Sequence, residues 1–416
     1  MRDRTPQITY SMFENMKNKP EKHNDKEQPA CVLLAGMAWS SGIEIIRALG
    51  EQGVSVYVLS VNCSNSILRH SRYCKESVKI YAKNADELLR ETLSWCEGQR
   101  FSDLPLLVPL TDFTAVMVAQ KSLFYEKQFR VCSPAPQLVK TMVDKDSAGV
   151  VAQKYGLNPP RSMWIGGVDS LSEVVNTVRN WCFPVLVKPV SVTKGGGKTF
   201  KTKIYTEVER FADEIRDYLV NDTEFYVQEY VPGEDKSIVV YIFYRDSKGT
   251  VHGFTGRKIR QMPHGAGYMA SGCSELLPTI KNISDAFLEK INFKGIGGLE
   301  YKLYNGSVYY IELNLRAAGF LTLSRKAGID LSIIAYNDLV FGKQIPAKVQ
   351  GLAYYLSTDA YILNFLRSKV KWKVLWEYIG LLMKPNMRLN LFSFRDPLPT
   401  LYWIIFRLKM LSGGVR

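Results

Sequence analysis

The sequence predicts an α/β domain at the N-terminus, then an α+β region with antiparallel sheets, and finally a basic helical tail. Three observations predict this order. A strand, a glycine turn, a helix and a second strand follow one another after residue 30, strand-like segments predominate after Pro159-Pro160, and basic and aromatic residues crowd the C-terminal end. A chain of 416 residues can hold two or three domains, each with its own core.

Composition favours a cytoplasmic protein. The first 29 residues are polar and charged, and we expect a disordered leader, since they contain neither the apolar core of a signal peptide nor a transmembrane span. Seven cysteines are scattered singly and only four histidines occur. That spacing supports neither a zinc site nor a disulfide framework, and it fits a reducing compartment.

Residues from about 30 to 135 have the pattern of a small doubly wound domain. Cys31 to Ala35 is an apolar strand that ends at Gly36, a helical pattern follows, and Val54 to Leu59 alternates as a second strand. A further strand, Leu106 to Pro109, ends at Thr111-Asp112. The glycines do not fit a dinucleotide motif and no acid follows the second strand, so NAD is not indicated.

The α+β region is predicted from strand-like segments separated by helical ones. The strand-like segments are 185–188, 199–204, 225–227, 237–244, 251–259, 297–302 and 308–311, and the helical ones lie near 207–219, 283–291 and 331–341. Runs of strands with helices between them are typical of antiparallel sheets in an α+β domain.

The segment Lys194 to Thr199, KGGGKT, resembles a phosphate-binding P-loop but fails that motif twice. Val192 stands where the motif needs a glycine, and the residues after the segment alternate like a strand instead of forming a helix. Three glycines between two strands predict a hairpin tip whose backbone amides could close over phosphate oxygens. A purely structural hairpin is the alternative.

Two acidic residues, Glu300 and Glu312, flank the dipeptide Asn305-Gly306, which is a strong hairpin signal. Two strands joined there would place both carboxylates on neighbouring positions, with Asn314 and Arg316 on the same face as Glu312. Two carboxylates and an amide oxygen suit Mg²⁺, and an arginine beside them suits a transferring phosphoryl group. The alternative is a salt-bridged sheet surface.

Two further segments extend this pattern. Lys188 ends the apolar strand of FPVLVKP, where a lysine is costly unless it meets an anion. The segment QEYVPGED, residues 228–235, has the form of a strand that runs into a linker. Such a linker offers backbone groups to a base and carboxylates to ribose hydroxyls.

Taken in order, Lys145, Lys188, the KGGGK loop, QEYVPGED, Glu300 and ELNLR resemble the ATP-grasp superfamily, and in particular its carboxylate–amine ligases. The resemblance covers most of residues 30–345. It implies a pre-ATP-grasp domain at 30–135 and an ATP-grasp domain at 136–345. The disordered leader at 1–29 and the basic, aromatic-rich C-terminal region at 346–416 flank them, and this C-terminal region is extra to the family pattern. Within the ATP-grasp domain the resemblance implies a small lid subdomain at about 160–230 and a large subdomain at about 231–345.

The resemblance also implies roles for single residues. Those expected to bind ATP are Lys145, Lys188, Gly195, Gly196, Gly197, Lys198, Glu229, Val231, Glu234 and Asp235. The lysines at 145, 188 and 198 and the three glycines would meet the phosphates, Glu229 and Val231 the adenine, and Glu234 or Asp235 the ribose. Those expected to hold two Mg²⁺ ions, with Mn²⁺ as a substitute, are Glu300, Glu312 and Asn314. Arg316 would contact the γ-phosphate, and Arg257, Lys258 and Arg260 lie on the strand expected to approach an acyl-phosphate.

The implied reaction converts a carboxylate into an acyl-phosphate, which an amine then attacks to give an amide and ADP. The substrates would be small carboxylates and amines such as amino acids or cell-envelope precursors. Two alternatives stay open: a carboxylase that activates bicarbonate, and a regulator that binds ATP without turnover. No nucleic-acid motif accompanies the net charge of +14.

The C-terminal end carries much of that charge. From Tyr361 onward ten basic residues face two acidic ones, and tryptophans are interleaved with them. A solvated helical cap is the plainer interpretation. The alternative is a peripheral surface for anionic lipid, at the inner face of the membrane, or for a phosphate-bearing acceptor.

Overall fold

The computed structural model describes residues 28–36, 39–63, 66–166, 170–181, 184–189, 202–262, 265, 267–346, 350–368 and 370–411. These residues form three sheets with helices packed against them. The predicted leader and the KGGGKT segment lie outside the described residues. In the part of the chain that is described, no helix has both the length and the hydropathy that crossing a bilayer requires.

The first sheet is parallel and belongs to the N-terminal domain. Its strands are β1 (Cys31–Ala35), β2 (Val56–Val61), β3 (Cys74–Ile80), β4 (Leu106–Pro109) and β5 (Arg130–Val131). They lie in the order β3-β2-β1-β4-β5. The helices of this half are α1 (Trp39–Gly50), α2 (Ala85–Glu97), α3 (Asp112–Gln120), α4 (Ser122–Tyr125), α5 (Pro136–Val143) and α6 (Lys145–Lys154). The strands of a parallel sheet end at one edge, so the start of α3 after β4 faces the next domain.

The second sheet has four antiparallel strands. They are β6 (Ser162–Ile165), β7 (Val185–Pro189), β8 (Lys203–Tyr205) and β9 (Phe225–Glu229), in the order β6-β9-β7-β8. Helices α7 (Leu171–Arg179) and α8 (Val208–Val220) share its core. Val178 on α7 and Phe211 on α8 are fully buried there, which fits the apolar stripe of each helix.

The third sheet has seven strands and forms the centre of the molecule. They are β10 (Ile238–Arg245), β11 (Val251–Met262), β12 (Tyr268–Ser274), β13 (Gly295–Tyr304), β14 (Ser307–Asn314), β15 (Tyr354–Leu356) and β16 (Met387–Leu389). Their order is β14-β13-β10-β11-β12-β15-β16, and only β15 and β16 pair in parallel. The remaining helices are α9 (Pro278–Lys290), α10 (Leu331–Phe341), α11 (Thr358–Arg367), α12 (Lys371–Leu382) and α13 (Leu398–Leu411).

One hydrophobic core joins the N-terminal domain to this central sheet. Ile43 and Ile46 of α1 belong to the same buried cluster as Ile242 of β10, Phe320 and Ile334. A shared core of this kind fixes the relative position of the two domains, because separating them would expose its apolar surface.

The C-terminal region differs from the helical tail that the sequence predicted. It contains three helices, but β15 and β16 also extend the central sheet by two strands. A fully buried ion pair fastens it to the N-terminal domain, since Arg47 Nε lies 2.9 Å from Asp396 Oδ2 and both side chains are at most 1% exposed. The region is therefore part of the folded body. Its strands were missed because three-residue strands are too short to show a periodicity.

Candidate active site

A cavity of about 740 Å³ lies between the four-stranded and seven-stranded sheets. Its walls come from both sheets, from Ser40 and Ser41 at the start of α1, and from the C-terminal region. The volume is in the range of pockets that bind cofactors and small substrates.

The hairpin of β13 and β14 brings together the two acids that the sequence singled out. Asn305 and Gly306 both have positive φ angles, +46° and +77°, as a two-residue hairpin turn requires. The regular register from this turn would place Ile311 opposite Glu300, but a bulge between Glu300 and Tyr301 shifts it, so that Glu300 pairs with Glu312 and the two acids are adjacent as predicted. Asn314 follows on the same face and donates to Glu312 Oε1 over 3.3 Å.

Lys258 of β11 lies beside these acids. Its Nζ is 2.7 Å from Glu300 Oε2, and its side chain is 4% exposed. Burial raises the pKa of Glu300, the Lys258 ammonium opposes that rise, and the neighbouring Glu312 adds to it. Arg316 also stabilises the ionised form of Glu300, so the two carboxylates lie beside the charges of both Lys258 and Arg316.

Arg316 connects the site to the N-terminal domain. Its Nε and Nη2 donate to the two carboxylate oxygens of Asp112, at 3.0 and 3.2 Å. Asp112 begins α3 directly after the N-cap residue Thr111, at the edge of the parallel sheet. A two-point contact of this kind holds the plane of a guanidinium, so Asp112 orients Arg316 within the cavity wall.

Two more lysines face the cavity. Lys188 of β7 donates to Gln228 Oε1 of the adjacent β9 over 2.7 Å. Lys302 of β13 lies with its Nζ 4.5 Å from the ring centroid of Tyr230, and burial lowers its pKa. Lysines in a partly desolvated wall attract anionic ligands strongly.

One backbone donor of the linker after β9 faces the cavity. The N–H groups of Glu229 and Tyr230 donate to the carbonyls of Arg161 and Pro184. The N–H of Val231, whose residue is 7% exposed and lines the cavity, has no acceptor among the described residues. A flat heterocycle with an acceptor nitrogen would satisfy this group.

Four predicted residues lie elsewhere. Neither Glu234 nor Asp235 is among the cavity-lining residues, and the Asp235 carboxylate accepts from Gln261 and from the N–H of Gly265. Of the basic residues of β11, Arg257 is paired with Glu275 and Arg260 with Glu377, and neither lines the cavity. The reason is strand geometry, because Arg257 points to the opposite face from Lys258, and a bulge follows Lys258.

Most of the residues predicted to bind phosphate lie outside the part of the chain that the structure describes. Gly195, Gly196, Gly197 and Lys198 lie outside the described residues. Lys145 is the first residue of α6, which Asp144 caps through a 3.0 Å bond from the N–H of Ser147. The side chain of Lys145 is not described.

Several lining residues were not predicted. The sequence could have indicated Gln228, Tyr230 and Lys302. Gln228 and Tyr230 are next to the predicted residue Glu229, and Lys302 lies two residues after Glu300, on the same face of its strand. The C-terminal lining residues could not be predicted, and neither could Asp112, which holds the lining residue Arg316, because only the tertiary fold brings these residues together. The C-terminal residues concerned are Tyr355, Ser357, Asp359, Asn390 and Arg407.

The donor set at Glu300 suits Mg²⁺ better than a softer ion. Within the described ranges, no group of three His, Cys, Asp or Glu residues is placed to hold a metal. Glu300, Glu312 and the Asn314 amide supply oxygen ligands only. Mg²⁺ commonly takes one or two carboxylates and completes its shell with substrate phosphates and water, so these residues fit it.

Comparisons with known proteins gave matches among solved structures only. No protein-family model matches the chain, and no curated protein sequence matches it. The ADP complex of an N5-carboxyaminoimidazole ribonucleotide synthetase matches with a TM-score of 0.61 and 15% identity, covering 79% of this chain and 81% of that one. A biotin carboxylase from Campylobacter jejuni matches with a TM-score of 0.59 and 16% identity, covering 79% and 75%. An L-amino acid ligase from Bacillus licheniformis matches with a TM-score of 0.57 and 12% identity, covering 76% and 75%.

Proposed function

Since the chain has the ATP-grasp fold, we propose that it is an ATP- and Mg²⁺-dependent ligase that joins a carboxylate to an amine. The observation that carries this proposal is the adjacency of Glu300 and Glu312 in one cavity with Lys188, Lys258 and Arg316. Binding of a nucleotide alone does not require two adjacent acids and three cations in the wall of one cavity. Transfer of a phosphoryl group between two anions does.

ATP would bind between the two antiparallel sheets. The Val231 N–H and the Glu229 carbonyl would meet the adenine, and Lys188 and Lys145 the phosphates, with the loop of Gly195, Gly196, Gly197 and Lys198 closing over them. Neither acid that was expected at the ribose lines the cavity, and the Asp235 carboxylate is held by Gln261, so we assign no residue to the ribose hydroxyls. Exclusion of water by that loop would protect a hydrolysable intermediate.

Glu300, Glu312 and Asn314 would hold Mg²⁺. When bound, the ion would neutralise the phosphate oxygens and spread the charge of the transferred group. The ammonium of Lys258, which balances Glu300, would turn toward the acyl-phosphate as that charge develops. Arg316, which Asp112 orients, would contact the transferred phosphoryl group from the cavity wall.

The reaction would proceed in two displacements. A carboxylate oxygen of the substrate attacks the γ-phosphorus, the bond to the β-phosphate oxygen breaks, and ADP leaves with that electron pair. A neutral amine then attacks the acyl carbon, the C–O bond to phosphate breaks, and inorganic phosphate leaves. The amine nitrogen loses one proton to solvent, so the products are an amide, ADP and phosphate.

Product analysis separates this proposal from its alternatives. ADP formation that needs both a carboxylate and an amine supports the ligase. ADP formation with bicarbonate and no other acid would favour a carboxylase, as among the biotin carboxylases that the fold resembles. Tight ATP binding with no ADP formation under either condition would favour a regulator and would refute the ligase.

The surface of the C-terminal region supports a finer proposal, peripheral contact with anionic lipid. Trp372 and Trp376 of α12 and Met383, directly after it, are 72%, 67% and 82% exposed. On the same helix, Lys371 and Lys373 form no ion pair within the described ranges. The acid of this helix, Glu377, pairs with Arg260 instead. Exposed tryptophans flanked by uncompensated lysines are typical of helices that lie at a lipid interface.

Vesicle sedimentation tests this contact. We expect binding to vesicles of equal phosphatidylglycerol and phosphatidylcholine, with little binding to phosphatidylcholine alone. The double substitution Trp372→Ala and Trp376→Ala should abolish it, whereas Leu123→Ala with Phe124→Ala, an exposed apolar pair in the N-terminal domain, should not. Equal binding of both double variants would refute the contact.

A further inference from the structure

The part of the cavity wall that the C-terminal region supplies contains a buried carboxylate, Asp359, that has no role in the proposed reaction. Asp359 lies in the first turn of α11, lines the cavity and is only 6% exposed. It sits where β15 runs into α11, on the part of the sheet that the C-terminal region adds.

A small polar network fixes the position of this carboxylate. Its Oδ1 accepts from Ser357 Oγ at 2.5 Å and from Asn390 Nδ2 at 2.8 Å. Asn390 is itself held, because its Oδ1 accepts from the N–H of Leu391 at 2.9 Å. Ser357 and Asn390 are both nearly inaccessible to solvent. The side chain is therefore pre-organised, as a binding group should be.

The network contains no positive charge. Ser357 and Asn390 are neutral donors, and Asp359 forms no ion pair anywhere in the described part of the chain. Arg407 also lines the cavity, but its guanidinium lies over the ring of Trp403, 5.7 Å from the centroid, and it is not paired with Asp359. A buried carboxylate is costly without a cation, and the start of one helix compensates only part of that cost.

We infer that Asp359 binds the ammonium group of the substrate whose carboxylate is activated, so that this substrate is an amino acid or another acid with a primary amine. The inference rests on the proposed ligase function. We assign the ammonium to the acid and not to the attacking amine, because an amine can attack only after it has lost the proton that binds it to Asp359 as an ammonium.

The experiment compares matched acids with and without an amino group. ADP formation by the full chain is measured with ATP, Mg²⁺ and hydroxylamine as the attacking amine. The acids are glycine and acetate, alanine and propionate, and glutamate and glutarate, followed by the other common amino acids. We expect at least one amino acid to stimulate ADP formation more than tenfold over its des-amino partner.

Two substitutions then assign the preference to one residue. Asp359→Asn keeps an acceptor for Ser357 but loses the charge, and should raise the KM for the amino acid at least tenfold while the KM for ATP changes less than twofold. Asp338→Asn is the matched control, since Asp338 is a buried acid bonded to Tyr244 and Ser247 outside the cavity wall. It should leave the KM for the amino acid unchanged.

The outcomes distinguish failure of the inference about Asp359 from failure of the proposed ligase function. Equal stimulation by amino acids and des-amino acids, or an unchanged KM in Asp359→Asn, would overturn the inference and leave the ligase standing. No stimulation by any acid would contradict the ligase and the inference with it. Should Asp359→Asn not fold, the wild-type comparison of matched acids still decides, and is supported by thermal stabilisation with amino acids but not with their des-amino partners.

Discussion

Replacing Asp396 by asparagine should release the C-terminal region from the N-terminal domain. In the native protein Asp396 Oδ2 accepts from Arg47 Nε at 2.9 Å and from Ser71 Oγ at 2.8 Å, while Oδ1 accepts from the N–H of Arg72 at 2.9 Å. Both oxygens thus face donors. An amide nitrogen at either position would meet a donor, and Arg47 would stay buried without a counter-charge.

The magnitude follows from that geometry. Removing one partner of a fully buried ion pair costs about 3–5 kcal/mol, because the remaining charge is left uncompensated. Burial lowers the pKa of Arg47, and the Asp396 carboxylate opposes that fall, so Asp396 favours the charged form of the guanidinium. About 1.4 kcal/mol corresponds to a factor of ten, so opening of the region should become roughly 100-fold or more favourable.

Hydrogen exchange measures this opening directly. In Asp396→Asn the amides of α13 should exchange at least about 100-fold faster, whereas those of β2 in the parallel sheet should change little. Asp86→Asn is the control, because Asp86 forms an exposed ion pair with Lys121 that contributes at most about 1 kcal/mol. Exchange in α13 that changes no more in Asp396→Asn than in Asp86→Asn would refute the reasoning.

Two further predictions concern the cavity wall. Asp112→Asn should lower kcat about tenfold with little change in the KM for ATP, because a charge-assisted contact of about 1.5 kcal/mol that orients Arg316 is weakened; an unchanged kcat in steady-state assays would contradict this role. Lys258→Met should lower kcat by at least about 100-fold and leave ATP binding measurable by calorimetry, because we propose that Lys258 stabilises the charge that develops on the acyl-phosphate. A variant with nearly full kcat would contradict a role of Lys258 in the reaction.

Local signals in the sequence predicted the hairpin at the centre of the site but not its register. Asn305-Gly306 fixes the turn, yet regular pairing from that turn would place Ile311 opposite Glu300, and the observed pairing with Glu312 depends on a one-residue bulge. Strand alternation makes Lys302 a neighbour of Glu300 on the cavity side, although Lys302 was not among the predicted site residues.

The predictions for Arg260 and for the C-terminal region were wrong because both depend on long-range contacts. Arg260 was expected near the acyl-phosphate, yet it pairs with Glu377, which lies 117 residues further along the chain. The C-terminal region was predicted as a tail because its two added strands are short and its anchor, Arg47 with Asp396, spans 349 residues. Such contacts depend on the packing of whole domains and leave no periodic pattern in the sequence.

The central claim is that Glu300 and Glu312 act together on magnesium-bound ATP. The most direct test measures ADP formation by Glu312→Gln beside Glu275→Gln, since Glu275 belongs to an ion pair with Arg257 outside the cavity. Glu312→Gln should lose at least about 100-fold in kcat and need far more Mg²⁺, while Glu275→Gln should stay close to the wild type. Unchanged ADP formation and an unchanged Mg²⁺ requirement in Glu312→Gln would contradict the account.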